Sequence, residues 1–189
     1  MRLSHVVSSI DPRFGGPSVS VPNLAAALAH AGHVVSLFAT GTTDSNAPST
    51  PGVDYRQAPA GGSATLANSP ELFRLLRATP ADLIHAHALW QRPLHYAHQC
   101  AAQAVVPLVI SPRGMMSPWA WRHRRWKKWL AEKFVHPGAF AAAAGWHATS
   151  QDEADDIRAR GWRQPICVAP NGVAIPDARA LAEARAYWH

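Results

Sequence analysis

The sequence has few cysteines, few charged residues and no long apolar run. Cys100 and Cys167 lie far apart without a Cys-x-x-Cys spacing, so we expect two free buried thiols rather than a zinc site or a disulfide framework. The longest apolar run, residues 139–144, is far shorter than the roughly 20 residues of a membrane span. Asp11 follows only a short apolar stretch, which is unlike a secretory signal. A cytoplasmic location is therefore the expectation.

The charges that are present are mostly positive. Charged residues make up 16% of the 189 residues, with a net charge of +6 and a pI near 10.0. This basicity suits a polyanionic partner, which is a nucleic acid, an anionic membrane surface or a phosphorylated substrate. The 11 histidines are scattered without a ligand motif and supporting carboxylates, so the sequence predicts no metal site.

Strand and helix patterns alternate along the whole chain. Short connections of this kind force parallel pairing, which predicts an α/β fold with a doubly wound, Rossmann-like parallel sheet. Ligands of such sheets bind at the carboxyl ends of the strands, so the residues just after each strand are the candidate site. The predicted strands are residues 3–10, 33–39, 82–86, 105–111, 146–149 and 166–169, and the clearest helical patterns are 21–28, 93–104 and 119–135.

Glycines follow the first predicted strand. Gly15 and Gly16 precede a helix, where free amides and the helix dipole favour phosphate. A tight turn without a ligand is the alternative interpretation. The dinucleotide spacing Gly-x-Gly-x-x-Gly is absent, which argues against a nucleotide-dependent oxidoreductase.

Polar side chains follow the next strands. His87 ends the third predicted strand, and His85 faces the same way. A buried polar side chain needs a partner, so a role in the site is one interpretation and a structural histidine is the other. Arg113 and Gly114 follow the fourth strand and offer a cation and an open backbone to an anionic ligand. The alternative for Arg113 is a surface ion pair.

Six short blocks carry a family resemblance from residue 3 to about residue 175. The chain resembles the N-terminal domain of the family 4 glycosyltransferases, the retaining GT-B group that includes many enzymes of bacterial polysaccharide and lipid-glycan biosynthesis. The blocks are Gly15-Gly16-Pro17-Ser18, Leu24-Ala25-x-x-Leu28 with Gly32-His33-x-Val35, Asp82-Leu83-Ile84-His85-Ala86-His87, Ser111-Pro112-Arg113-Gly114-Met115, Ala148-Thr149-Ser150-x-x-Glu153 and Pro170-Asn171-Gly172-Val173.

The resemblance implies a role for each matching position. Gly15 and Gly16 would bind the donor diphosphate through backbone amides, and His87 would be the catalytic residue that reaches the transferred sugar. Arg113 and Gly114 would line the acceptor cleft. Ser150 and Glu153 form a capping box that we take as structural. The implied reaction is metal-independent, retaining transfer of a sugar from a nucleotide-sugar to a glycan or lipid-linked acceptor. Its only cofactor-like component is the nucleotide-sugar co-substrate.

The predicted domain organisation is half of a GT-B fold. We expect residues 1–175 to form the acceptor-side domain and residues 176–189 to form a tail that could be one helix. Family members continue into a donor-binding domain, and we expect this sequence to be without one. The chain alone is therefore expected to transfer no sugar and to need a separate donor-binding domain. The alternative is a non-catalytic Rossmann-like module that binds a membrane, an acceptor or a partner domain.

Residues 119–133 combine four tryptophans with six basic residues and one glutamate. On one helix, Trp126 and Trp129 would share a face, with Arg122 and Lys133 beside it. This composition favours contact with a lipid-linked acceptor or a peripheral contact with the inner face of the membrane. Nucleic acid could use the same side chains, but we do not expect it as the partner. The remaining interpretation is a solvated helix whose tryptophans lie in the core.

Overall fold

Seven parallel strands form one sheet in the computed structural model, which describes residues 1–41, 50–61 and 64–172. Their order across the sheet is β3-β2-β1-β4-β5-β6-β7. The chain builds outward from β1 to β3 and then continues on the other side of β1, so the winding reverses between β1 and β4. The strands are β1 (Arg2–Val7), β2 (Val34–Thr40), β3 (Val53–Ala58), β4 (Leu83–His87), β5 (Leu108–Ser111), β6 (Gly145–Ala148) and β7 (Ile166–Val168).

Helices connect these strands, and they cover both faces of the sheet. Val7 and Leu37 pack with α1 in one apolar layer, whereas Val6 and Phe38 pack with α2 and α3 in the other. This alternation along each strand confirms the predicted doubly wound, Rossmann-like α/β fold. The helices are α1 (Gly16–His30), α2 (Pro70–Ala78), α3 (Arg92–Ala104), α4 (Pro118–Arg122), α5 (Arg125–Leu130) and α6 (Gln151–Ala159), with short turns at Pro12–Phe14, Ala64–Leu66 and Ala131–Val135.

Local signals in the sequence set several of these boundaries. The hydroxyl of Ser69 accepts a hydrogen bond from the amide of Leu72 at 3.2 Å, as expected of an N-cap before the first-turn Pro70. Gly32 has φ +86° just after α1, a left-handed conformation that suits glycine at a helix end. These two boundaries confirm the sequence-based expectation.

Three predicted elements are wrong in extent. The first strand, predicted over residues 3–10, ends at Val7. The strand predicted from residue 105 begins only at Leu108, because the amide of Val106 bonds back to Ala101 and closes α3. The single helix predicted over residues 119–135 is broken into α4, α5 and a π-helical turn. His123 has ψ 120° and Arg124 has φ +52°, so both leave the right-handed helical region.

The prediction of two buried thiols is half wrong, because Cys100 is buried and Cys167 is exposed. Cys167 lies in β7, which forms one margin of the sheet. Among the described residues, no helix has the length and apolar character needed to cross a bilayer. The predicted tail, residues 176–189, and the predicted domain end at residue 175 lie outside the described residues.

Candidate active site

The carboxyl end of β1 leads into an exposed helix start. The turn Pro12–Phe14 connects β1 to Gly15 and Gly16 at the beginning of α1. Gly15 has φ +94°, which few residues other than glycine adopt. Both glycines are exposed, and a Cβ atom at either position would meet nothing within 4 Å beyond its chain neighbours and the backbone of its own helix. The start of α1 is therefore open to a ligand, at the sheet edge where ligands of such folds bind.

Four histidines, which we call the histidine cluster, lie on one face of the sheet beside the reversal between β1 and β4. The parallel register places His5 of β1 opposite His85 of β4. The ring centroids of His85 and His87 are 4.0 Å apart, and those of His85 and His147 of β6 are 5.2 Å apart. The prediction that His85 and His87 face the same way is confirmed.

Arg113 joins the histidine cluster to the loop after β7. One guanidinium nitrogen lies 3.1 Å from Nδ1 of His87, and another donates to the side-chain oxygen of Asn171. Within the described part of the chain, Arg113 forms no ion pair. The alternative interpretation of Arg113 as a member of a surface ion pair therefore does not hold among these residues. These contacts join the carboxyl ends of β4, β5 and β7. Gly15 and Gly16, at the beginning of α1, follow the carboxyl end of β1 on the same side of the sheet.

The contacts of His87 fix the position of its ring proton. A guanidinium group can only donate, so Nδ1 of His87 must accept from Arg113. The proton of neutral His87 then lies on Nε2, which is 2.9 Å from Nδ1 of His5. His5 accepts this bond and carries its own proton on Nε2, a buried atom with no hydrogen-bond partner among the described residues. A directed chain from Arg113 through His87 to His5 results.

Burial keeps three rings of the histidine cluster uncharged, those of His5, His85 and His87. Desolvation is the main cause that lowers the pKa of His5, to about 4, and it lowers the pKa of His85 and His87 well below the ordinary 6.5. The neighbouring imidazoles and the Arg113 guanidinium add to this effect, because each would repel a protonated ring. All three rings are therefore neutral at physiological pH.

Glu153 connects the loop after β5 to the start of α6. Its carboxylate accepts from the amide of Gly114 at 2.6 Å and from the amide and hydroxyl of Thr149 at 2.6 and 2.9 Å. The Ser150 hydroxyl accepts from the amide of Glu153, so half of the predicted capping box forms. The other half is wrong, because the carboxylate reaches Thr149 and Gly114 rather than the Ser150 amide. Glu153 thereby holds the residue next to Arg113.

The predicted site residues differ in their exposure. Gly16 and Gly114 are exposed and Arg113 is half-buried, whereas His87 is only 4% exposed. A cleft residue left without its donor-binding domain would be expected to be open to water, but the ring of His87 is buried because it lies between His5, His85 and Arg113. A ligand that approaches the site would therefore contact Arg113 before it contacts His87.

The histidine cluster also has the spacing of a metal site, but its chemistry fits a cation poorly. One ring nitrogen each from His5, His85 and His87 lie within 4.8 Å of one another. Metal-binding histidines usually donate their second N–H to a carboxylate or carbonyl, which orients the ring. Here the second nitrogen of His87 contacts a guanidinium group, which would repel a metal ion. The expectation of no metal stays a prediction.

The predicted tryptophan face lies outside the histidine cluster. Trp126 and Trp129 of α5 are exposed, so the interpretation that places these tryptophans in the core is wrong. Arg122 belongs to α4 and Lys133 to the π-helical turn, so the break at Arg124 separates Arg122 from the helix that carries the two tryptophans.

A doubly wound sheet has here an open helix start and, beside its winding reversal, an arginine that forms no ion pair with the described residues. These features define a Rossmann-like domain suited to an anionic ligand. The chain belongs to the glycosyl transferase 4-like domain family, whose family model matches residues 15–172. The predicted resemblance to the family 4 glycosyltransferases is thereby confirmed.

Solved GT-B structures share the fold. HepE from Anabaena, in a crystal structure with UDP and glucose, has a TM-score of 0.67 and 20% identity over 100% of this chain and 50% of HepE. Sucrose-phosphate synthase from Thermosynechococcus elongatus has a TM-score of 0.62 and 20% identity over 97% of this chain and 52% of the synthase. The chain thus spans about half the length of each, as predicted for half of a GT-B fold. Among curated proteins, none matches the chain.

Three residues of the site were not predicted in these roles. His5 and His147 interrupt strands that are otherwise mostly apolar, and this was a signal that the sequence carried. Glu153 was predicted as a helix cap, and its contact with Gly114 joins residues 39 positions apart, which no local pattern reveals. The histidine cluster is thus larger than the sequence analysis indicated.

We expect His87 to be neutral at pH 7 with its proton on Nε2, because Arg113 occupies Nδ1. Nitrogen-15 NMR of the histidine rings can distinguish this tautomer. In Arg113→Ala the constraint on Nδ1 is gone, so the resonances should shift toward a mixture of tautomers. The matched variant Arg77→Ala, at an exposed position of α2, should leave the His87 resonances unchanged. A charged ring or an Nδ1 proton in the wild type would contradict the assignment.

Lowering the pH from 7 to 5 should reduce the free energy of unfolding. Buried histidines have folded-state pKa values below 6.5, with His5 and His136 both at about 4. The unfolded chain therefore binds protons first, and stability present above about pH 6.5 is lost as the pH falls toward 4. Each such histidine contributes a slope of up to about 1.4 kcal/mol per pH unit.

Urea denaturation at several pH values measures this slope. The variant His136→Phe removes one titrating ring outside the histidine cluster, at a position packed against Trp90 and Phe140. It should therefore show a shallower slope between pH 6.5 and 5. Equal stability of the wild type at pH 7 and pH 5 would contradict the predicted neutral histidines.

Proposed function

We propose that this chain is the acceptor-side domain of a retaining glycosyltransferase. It works with a donor-binding domain to move a sugar from a nucleotide-sugar to a glycan or lipid-linked acceptor. The observation that carries the proposal is the contact of Arg113 with His87 at the winding reversal of the sheet, beside the open start of α1. Family membership and the shared fold of the GT-B structures support it.

Arg113 is the residue best suited to bind an anion. Among the described residues its hydrogen-bond partners are His87 and Asn171, which are both uncharged, so none of these contacts neutralises its positive charge. Burial lowers the pKa of Arg113, yet a guanidinium group remains charged at physiological pH. A phosphate group of the donor or of the acceptor would form a stronger hydrogen bond with this guanidinium group than the neutral imidazole of His87 does, because both partners would be charged. The departing diphosphate needs such positive charge.

His87 would act once an anion has engaged Arg113. Both ring nitrogens of His87 are occupied within this chain. When Arg113 turns toward a phosphate group, Nδ1 of His87 is released and can accept a hydrogen bond from a sugar hydroxyl. His5 continues to hold Nε2, so the ring keeps its orientation. In this proposal, ligand binding makes the catalytic nitrogen available.

Gly16 would provide the close approach that the diphosphate needs. The start of α1 offers the amide of Gly16 and the positive helix dipole there, whereas Pro17 has no N–H and the amides of Gly15 and Ser18 donate to Pro12 and Gly15. HepE is solved with UDP and with UDP-glucose. We therefore propose a uridine-diphosphate sugar as the first donor to test.

A non-catalytic binding module is the alternative function. The observation that favours it is the burial of His87, whose nitrogens are both used inside the protein. Transfer of a sugar distinguishes the two functions, because a binding module would bind its ligand without turnover.

The purified chain should transfer no sugar from UDP-glucose or other nucleotide-sugars, and a matching donor-binding domain on a second chain should restore transfer. In the active complex, His87→Ala and Arg113→Ala should each lower kcat by about 10²–10³, the usual effect of losing one group that stabilises the transition state. Arg77→Ala should retain wild-type activity. Product formation is measured by mass spectrometry.

Two outcomes would contradict different parts of the proposal. Robust turnover by the isolated chain would show that no donor-binding domain is needed. A complex that forms and binds the nucleotide-sugar but never transfers the sugar would favour the non-catalytic module.

Gly16→Ala should weaken donor binding without harming the fold. An added methyl group meets nothing within 4 Å beyond its chain neighbours and the backbone of its own helix. The gain in helix propensity is offset by crowding against Pro17, so the free energy of unfolding should change by less than about 1 kcal/mol. The same methyl group would stand where the diphosphate approaches. Calorimetric titration of the two-domain complex with UDP-glucose measures the loss. Asn23→Ala, an exposed change in the same helix, is the control, and equal affinity of Gly16→Ala would refute the role of Gly16.

A further inference from the structure

Residues 119–134, which follow the loop of Arg113, form an exposed aromatic and basic surface. We call it the tryptophan surface. Its aromatic side chains point into solvent, with Trp119 78%, Trp126 63%, Trp129 55% and Phe134 65% exposed. Large aromatic side chains that share one exposed segment indicate an interaction surface rather than scattered exposure. The basic residues of the tryptophan surface are Arg122, Arg124, Arg125, Lys127, Lys128 and Lys133.

The charge of this surface is almost entirely positive. Its six basic residues are opposed by Glu132 alone. In the ranges that the structure describes, none of the six belongs to an ion pair. The side chains are therefore free to meet an anionic partner, and the positive field adds over a short stretch of chain.

A half-buried anchor holds the tryptophan surface against the sheet. The ring of Trp121 in α4 lies 5.5 Å from the ring of Trp90, centroid to centroid, and the guanidinium of Arg160 lies 4.9 Å from Trp121. The break at Arg124 follows directly, after which α5 carries Trp126 and Trp129 into solvent. Trp90 comes three residues after His87, so the tryptophan surface adjoins the candidate active site.

We propose that the tryptophan surface docks on an anionic lipid bilayer. Indole rings partition into the headgroup boundary, where an apolar body and a polar N–H both find partners. Long basic side chains beside them extend to the lipid phosphates. The proposal depends on this surface alone and does not require that the protein transfers a sugar.

The contacts of the indoles argue against nucleic acid as the occupant. Nζ of Lys133 lies 4.4 Å from the ring centre of Trp129, and Nζ of Lys127 lies 5.4 Å from that of Trp126. Bases would stack on these same ring faces, so stacking would have to displace the ammonium groups. A bilayer receives the ring and leaves the ammonium groups at the phosphates.

The composition also argues against a protein partner. Interfaces between proteins are depleted of lysine, whereas this surface carries Lys127, Lys128 and Lys133 among its aromatic residues. An anionic bilayer, whose headgroups complement the positive charge of the surface, is therefore the partner that we propose. A docked chain would place the loop of Arg113 beside the bilayer, which suits an acceptor whose lipid part stays in the membrane.

Vesicle co-sedimentation of the 189-residue chain tests the proposal. Vesicles of phosphatidylcholine with phosphatidylglycerol should bind the chain, vesicles of phosphatidylcholine alone should bind it weakly, and added salt should reduce binding. Arg125→Gln with Lys127→Gln removes two charges and should weaken binding by about 30-fold. The matched control is Arg77→Gln with Arg163→Gln, which removes two exposed charges elsewhere and should change binding only slightly.

Brominated lipids report whether the indoles enter the bilayer. They should quench tryptophan fluorescence of the wild type, and the triple variant Trp119→Ala, Trp126→Ala, Trp129→Ala should lose most of this quenching while its thermal stability stays unchanged. Binding that is equal for neutral and anionic vesicles, or quenching that survives the triple variant, would overturn the proposal. So would tighter binding to single-stranded DNA than to anionic vesicles, because the surface would then serve nucleic acid.

Discussion

The hydrogen bond from Arg113 to His87 joins the loop after β5 to the end of β4, and the rest of the candidate site is arranged around it. It sets the tautomer of His87, which in turn directs the ring toward His5. It also turns the guanidinium group toward Asn171, so the loop after β7 joins the same edge. Glu153 supports this arrangement from the other side, because it fixes the amide of Gly114.

This arrangement depends on the way the sheet is wound. β1 and β4 are neighbours in space although the chain visits β2 and β3 between them. Their adjacency places His5 beside His87, and it brings the start of α1 to the edge that carries Arg113. A buried, uncharged set of imidazoles beside one half-buried cation gives the site a positive character at neutral pH. That character favours an anionic ligand over a metal ion.

Signals that act within a few residues were readable from the sequence. Ser69 and Gly32 mark helix ends because their preferences are local. Strand positions and the parallel fold followed from apolar runs and short connections. The link between His5 and His87 was not readable, because it depends on which strands become neighbours. The break at Arg124 was also hidden, since neither glycine nor proline marks it. The residues that pack against Trp121, which are Trp90 and Arg160, lie outside the segment.

The break at Arg124 has a consequence for how this surface tolerates sequence change. Left-handed backbone at a residue with a side chain costs roughly 1–2 kcal/mol, and packing elsewhere has to offset that cost. Trp121, held between Trp90 and Arg160, is the adjoining packed side chain. The direction in which α5 points is therefore decided by the anchor and not by the exposed residues. Those exposed residues are free to diverge, provided that the anchor keeps its shape.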